Sequence, residues 1–213
     1  MKNKILVYDC SLFGQALGQF LENELSVQVE QIMDVFDPQE MSDREICERV
    51  AKEIKPYIGR VTGVVIANPL IVSVVVGELE KIFPKQRFIY YGKVFSGDVS
   101  KFNRMAMLAQ ERVRRTERYQ ALKAACQEVE IEELNCGKWI GMIDNGWIGQ
   151  EKIIAEFRHK LGTKIVLYHQ ALLMRERKLA EIVDWRGELV DMKKELILPI
   201  KWAIKENNKA RKW

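Results

Sequence analysis

The chain has 213 residues, 47% of them hydrophobic, enough to bury a sizeable core as one large domain or two small lobes. Its longest apolar run, Val64 to Val76, is broken by Asn68-Pro69 and is shorter than the roughly 20 residues of a membrane span, and no signal-peptide pattern follows Met1, so the expectation is a cytoplasmic protein with no membrane partner. The formal net charge of +4 lies entirely from Lys201 onward, where five basic residues face one acid; outside that segment 29 basic and 29 acidic residues balance, and a basic helix end favoured by the macrodipole is the reading, not a nucleic-acid site.

In chain order, Lys4–Asp9 reads as a strand, followed by a helix from about Leu12 to Leu25. Val27–Met33 alternates as a half-buried strand does. Ser42-x-x-Glu45 is a capping box opening a helix to about Lys55. Gly63–Ala67 is a buried strand, Pro69 to about Phe83 a helix, and Arg87–Tyr91 the fourth strand.

The order then repeats. Met105–Ala109 is a strand, Val113 to about Ala125 a helix and Val129–Leu134 a strand. Helical stretches follow near Trp139–Asp144 and Gln150–Leu161. Lys164–Tyr168 is a strand, Gln170 to about Ile182 a helix, and Glu188–Asp191 the last strand. A helix from Met192 is expected to kink or restart at Pro199, because proline cannot donate inside a helix.

Two successive sets of four strands alternating with helices predict an α/β fold of two similar lobes, each a four-stranded parallel sheet flanked by helices, with a ligand cleft between them. The expected division is residues 1–98 for the N-terminal lobe and 99–213 for the C-terminal lobe, the latter including the basic helix. In such folds ligands bind beyond the carboxyl ends of strands. That selects Asp9-Cys10-Ser11, Asn68-Pro69, Gln110-Glu111 and His169-Gln170. Asn68 is explained as a helix N-cap with proline at the first helical position, and the amides of the same helix start are a candidate anion site.

The cysteines at 10, 47, 126 and 136 have neither metal spacing nor a Cys-x-x-Cys pattern. Cys47 and Cys126 read as core thiols, and Cys136 has no evident chemical partner. The two histidines, 159 and 169, are too few for a histidine-rich metal site. No P-loop or Gly-x-Gly-x-x-Gly is present, so neither a metal nor a cofactor is expected.

At the strand ends the chain resembles the glutamate racemases of the Asp/Glu racemase superfamily, over about residues 3 to 206. Asp9-Cys10-Ser11-Leu-Phe-Gly14 is similar to the family's first-strand Asp-Ser-Gly-x-Gly-Gly turn. Gly63-Val-Val-Ile-Ala-Asn-Pro-Leu70 resembles the Val-Ile-Ala-Cys-Asn-Thr-Ala-Ser segment. Arg115-Thr116-Glu-Arg-Tyr119 resembles Arg-Ser-x-x-Tyr, and Cys136–Gly146 the family's Cys-Pro-x-x-Val-Pro-x-x-Glu-x-Gly. Thr163–Leu172 stands where Asp-Thr-Leu-Val-Leu-Gly-Cys-Thr-His-Tyr belongs, and Glu188–Asp191 matches the strand after it. The resemblance implies a cofactor-independent racemase scaffold in which two thiols move a proton on opposite faces of a substrate Cα.

Both thiol positions differ. The first is Asn68 and the second His169; the family histidine is Ala171, the substrate-gripping Asn-Thr pair is Pro69-Leu70, and the Pro-Tyr-Gly loop is Asp37-Pro38-Gln39. Asp9 is kept, and Thr116 stands where a small hydroxyl belongs. One reading is a non-catalytic or regulatory binder of a small carboxylate or amino acid, with Ser11, Asn68, Pro69, Thr116 and Gln170 as ligand contacts. A second is a diverged isomerase in which Cys10 and His169 exchange protons beside Asp9. A third is interaction through the C-terminal helix, whose stripe Ile200, Ala203, Ile204 and Asn207 docks on its own domain or forms a homodimer seam.

Overall fold

The computed structural model describes residues 3–11, 13–90, 103–124, 126, 128–137, 139, 142, 151–160, 164–167, 176–182, 187–190 and 196–210. Two compact units emerge: Met1–Tyr91 together with Met192–Trp213, and Gly92–Asp191. Each holds one four-stranded parallel sheet.

The first unit runs β1 (Lys4–Asp9), α1 (Phe13–Leu25), β2 (Gln28–Met33), α2 (Asp43–Ile54), β3 (Gly63–Ile66), α3 (Pro69–Ile82) and β4 (Phe88–Tyr90). Its strand order is β2-β1-β3-β4. β1 and β3 are apolar and buried along nearly their whole length, as central parallel strands covered on both faces must be. β2 is the half-exposed edge that its alternating sequence predicts. Leu6 and Tyr8 of β1 share a core with Ile46, Val50 and Ile54 of α2 and with Val72, Val75, Val76 and Leu79 of α3.

The helix starts follow their local chemistry. Ser42 Oγ accepts from Glu45 N at 3.3 Å while Glu45 Oε2 accepts from Ser42 N at 2.9 Å, so the capping box is complete. α1 ends at Ser26, which takes a positive φ of 50° and donates its N–H to Glu22 O. That left-handed cap usually falls to glycine.

The second unit comprises β5 (Arg104–Ala109), α4 (Glu111–Arg114), α5 (Glu117–Ala124), β6 (Glu130–Asn135), α6 (Glu151–Lys160), β7 (Lys164–Leu167), α7 (Glu176–Ile182) and β8 (Glu188–Val190), with strand order β6-β5-β7-β8. The single helix expected from Val113 to Ala125 is two. Arg115 and Thr116 interrupt it, and Thr116 Oγ1 accepts from Tyr119 N at 3.3 Å, opening the second piece. A hydroxyl side chain competes for backbone groups and so favours a cap over a helix interior.

The last helix, α8 (Ile197–Ala210), changes the expected division. It belongs to the first unit, not to the second. Ile200 and Ala203 are buried, α8 packs on α1, and Asn207 Nδ2 donates to Asn3 Oδ1 at 3.3 Å and to Thr62 Oγ1 at 3.0 Å. The stripe expected to dock on its own domain docks on the N-terminal one. The expected start of this helix at Met192 lies outside the described residues; within α8, Pro199 falls in the first turn, where a missing N–H leaves no bond unmade.

Asn207 bridges the segments preceding β1 and β3, so Asn207→Ala should lower stability by about 1–2 kcal/mol, two neutral hydrogen bonds being lost at once. Urea unfolding monitored by circular dichroism measures it, and an unchanged midpoint would refute this account of the docking.

Candidate functional site

Register brings the site residues of the first unit together. β1 pairs with β3 as Tyr8↔Ile66, and Ala67 N donates to Tyr8 O at 3.0 Å. Two residues further on, Cys10 and Asn68 stand side by side at the carboxyl ends of the two central strands. The chain leaves β1 toward β2 on one side and β3 lies on the other, so this is the topological switch point of the sheet.

Asn68 is buried, at 2% exposure, and both ends of its carboxamide are engaged. Oδ1 accepts from Leu70 N at 2.8 Å and from Ile71 N at 3.2 Å, while Nδ2 donates to Cys10 Sγ at 2.9 Å. Its extended backbone (φ −83°, ψ 120°) is what a residue before proline adopts and what an N-cap needs. The cap has a consequence for the expected anion site at this helix start. Pro69 has no N–H, and the next two amides of α3 already donate to Asn68. Those donors are not turned toward a ligand.

Asp9 faces the other side of the sheet, because consecutive strand side chains alternate. It is fully buried. Oδ1 accepts from Cys10 N at 2.7 Å and Oδ2 from Ser11 Oγ at 3.2 Å; Ser11 Oγ in turn accepts from Phe13 N at 3.2 Å. Gly14 permits this closure, since a Cβ there would lie 2.5 Å from Asp9 Cβ. Burial pushes the Asp9 carboxyl up to about 7, against the opposing effect of the hydrogen bonds from Cys10, Ser11 and Gly14.

A third cluster at this edge has no counterpart in the sequence expectations. Tyr8 Oη donates to Asp34 Oδ2 at 2.9 Å. Arg49 grips the same carboxylate bidentately, Nε to Oδ2 at 2.7 Å and Nη2 to Oδ1 at 2.6 Å, and stacks over the Phe36 ring at 4.6 Å. Arg49 holds the Asp34 carboxyl below its ordinary range. The cluster ties α2 to the ends of β1 and β2. Asp34 directly after an alternating strand is the one local signal that could have raised it, but its partners lie 15 and 26 residues away.

In the second unit, Thr116 Oγ1 donates to Val113 O at 2.7 Å besides capping α5, and Gln110 precedes α4 without a side-chain capping bond. Cys136 is fully buried after β6, and burial pushes its thiol up to about 12. His169 and Gln170 lie outside the described residues. Thus Asp9, Cys10, Ser11, Asn68 and Pro69 gather at one sheet edge, and Thr116 is engaged within its own helix junction.

Two outcomes follow. A carboxyl raised from 3.8 to about 7 favours the protonated fold, so its contribution to stability is full below pH 3.8 and is lost as pH rises through 7, a span on the order of 4 kcal/mol. Asp9→Asn should abolish this part of the pH dependence, seen by comparing denaturation midpoints of the two proteins at about pH 4 and about pH 8, on either side of the folded-state titration. Gly14→Ala should destabilise by about 1–3 kcal/mol through the clash with Asp9 Cβ; a wild-type melting temperature for this variant would show that the turn yields more easily than its geometry implies.

No family model matches the chain, and no curated protein sequence does. Among solved structures, the glutamate racemase of Francisella tularensis in complex with D-glutamate is similar with a TM-score of 0.77 at 17% identity, over 97% of this chain and 82% of that one. The Escherichia coli glutamate racemase, in complex with L-glutamate and the activator UDP-MurNAc-Ala, gives a TM-score of 0.77 at 16% identity, over 96% and 83%. A glutamate racemase isoform of Bacillus anthracis gives 0.74 at 11% identity, over 96% and 82%. At these identities the likeness is one of fold: the chain has the α/β fold of the glutamate racemases.

Proposed function

We propose that this protein is a glutamate-racemase-like chain that has lost two-thiol racemisation and serves as a non-catalytic binder of a small amino acid or carboxylate. The loss rests on one observation, the state of Asn68. A carboxamide has no titration near neutral pH and cannot serve as a general base, and this one is committed to capping α3 and to Cys10 Sγ. Moving Asn68 to reach a substrate would uncap a buried helix.

The binding half of the reading is supported by the position of the site at the switch point of the sheet, and by likeness to racemases crystallised with D-glutamate and with L-glutamate. Recognition of a carboxylate by the first amides of α3 is not part of it, because Asn68 occupies them. A second reading, an isomerase moving a proton between Cys10 and His169 at a carbon α to a carboxylate, is favoured by one feature. The Cys10 sulfur is held at the strand end by the Asn68 amide, 2.9 Å away.

Incubation in D2O with each enantiomer of glutamate and aspartate, followed by proton NMR, separates the two. The expected outcome is no exchange at Cα, with saturable heat for at least one of these ligands in titration calorimetry. Exchange that disappears in both Cys10→Ser and His169→Ala would replace the binder with the isomerase. Absence of heat for all four would end the binder reading.

A further inference from the structure

Docking fixes the inner face of α8: Ile200 and Ala203 are buried and Asn207 bonds to Asn3 and Thr62. With 3.6 residues per turn, Leu198, Lys201, Trp202, Lys205 and Lys209 then fall within an outward sector of about 100°. All five are exposed, Leu198 at 67% and Trp202 at 59%. The one acid of the helix, Glu206, lies at the margin of that sector and is bonded to Lys209 Nζ at 3.0 Å. Arg87 lies with its guanidinium 4.2 Å from the Trp202 ring centroid, which leaves the indole more than half exposed and places a further cation beside this face.

This face therefore joins two bulky apolar groups, one turn apart, to a row of primary amines. Apolar side chains of this size are not needed on a merely solvated helix, and the amines are not needed on a self-packing one. The rest of the chain balances at 29 charges of each sign, so the whole cationic excess of +4 lies from Lys201 onward, half of it on α8 and half on Arg211 and Lys212 beyond it.

We propose that the outward face of α8 docks on an anionic phospholipid surface, Leu198 and Trp202 entering the headgroup layer while Lys201, Lys205 and Lys209 meet the lipid phosphates and carboxylates. Charge complementarity selects this occupant. A second copy of the chain, meeting the same face across a two-fold axis, would set lysines against lysines. A convex helix face also suits a plane better than a groove. Tryptophan is favoured at the membrane interface, and lysine stems can lie along an apolar surface while their amines stay in water. Docking of this kind combines a small apolar insertion with electrostatic attraction. It requires no membrane-spanning helix, and none of the described helices is long and apolar enough to be one.

The test is co-sedimentation of the full chain with phosphatidylcholine vesicles, with and without phosphatidylserine. Capture is expected only on the phosphatidylserine vesicles, with loss at raised salt. Each of Lys201→Gln, Lys205→Gln and Lys209→Gln should weaken it about fivefold, and Trp202→Ala about tenfold or more, with Trp202→Phe retaining most of the binding. Leu198 and Trp202 are exposed, so circular dichroism of both alanine variants should remain native. Four results would overturn the proposal: no capture, equal capture by pure phosphatidylcholine, capture indifferent to both Leu198→Ala and Trp202→Ala, or equally tight binding to soluble polyglutamate, which would point to an acidic protein instead. None of these bears on the amino-acid reading of the strand-end site.

Discussion

The carboxamide of Asn68 is the contact on which the centre of the first unit turns. It sits where β3 gives way to α3, out of water, and a buried amide must find partners for both of its ends. One end closes the first turn of α3. The other reaches across to the sulfur of Cys10 at the end of β1. A single side chain thus joins the two central strands and starts the helix whose apolar faces fill the core. Its structural value lies in this double engagement, Oδ1 accepting from two amides of α3 while Nδ2 donates to the Cys10 sulfur.

The neighbouring turn is built on the same principle with a different group. Asp9 places a carboxylate at the start of α1, where backbone amides and the Ser11 hydroxyl take the part water would otherwise play. Gly14 lets the helix come close enough for that, and burial opposes the charge that the hydrogen bonds favour. A third group, Asp34, is satisfied by Tyr8 and Arg49. The strand ends of this sheet therefore combine polar residues in the expected places with hydrogen bonds made among themselves and to nearby backbone.

The last helix illustrates how charge and packing divide the surface of one element. Its inner stripe is small, apolar and closed by Asn207, and its outer stripe is basic with two large apolar side chains. Net charge locates the basic stripe but does not say where the helix is attached. Attachment follows from the few side chains that face inward, and these fit the beginning of the chain, 204 residues away in sequence from Asn207.

Features under short-range physical control are already written in the order of residues. The alternation of strands and helices, the capping box at Ser42 and Glu45, the cap and proline at Asn68-Pro69, the docking stripe of the last helix and the two parallel sheets all depend on period, dihedral preference and neighbours within a turn. So did the placing of Asp9, Cys10 and Asn68 at strand ends. Tertiary structure decided what depends on groups far apart in the chain. Among these are the register that sets Cys10 beside Asn68, the clasp of Asp34 by Tyr8 and Arg49, the attachment of α8 to the first unit, and the break at Thr116, where a hydroxyl chose a backbone partner over helix continuity. Asn68 was legible as a helix cap from the proline that follows it. That both ends of its carboxamide are engaged became visible only when register set it beside Cys10.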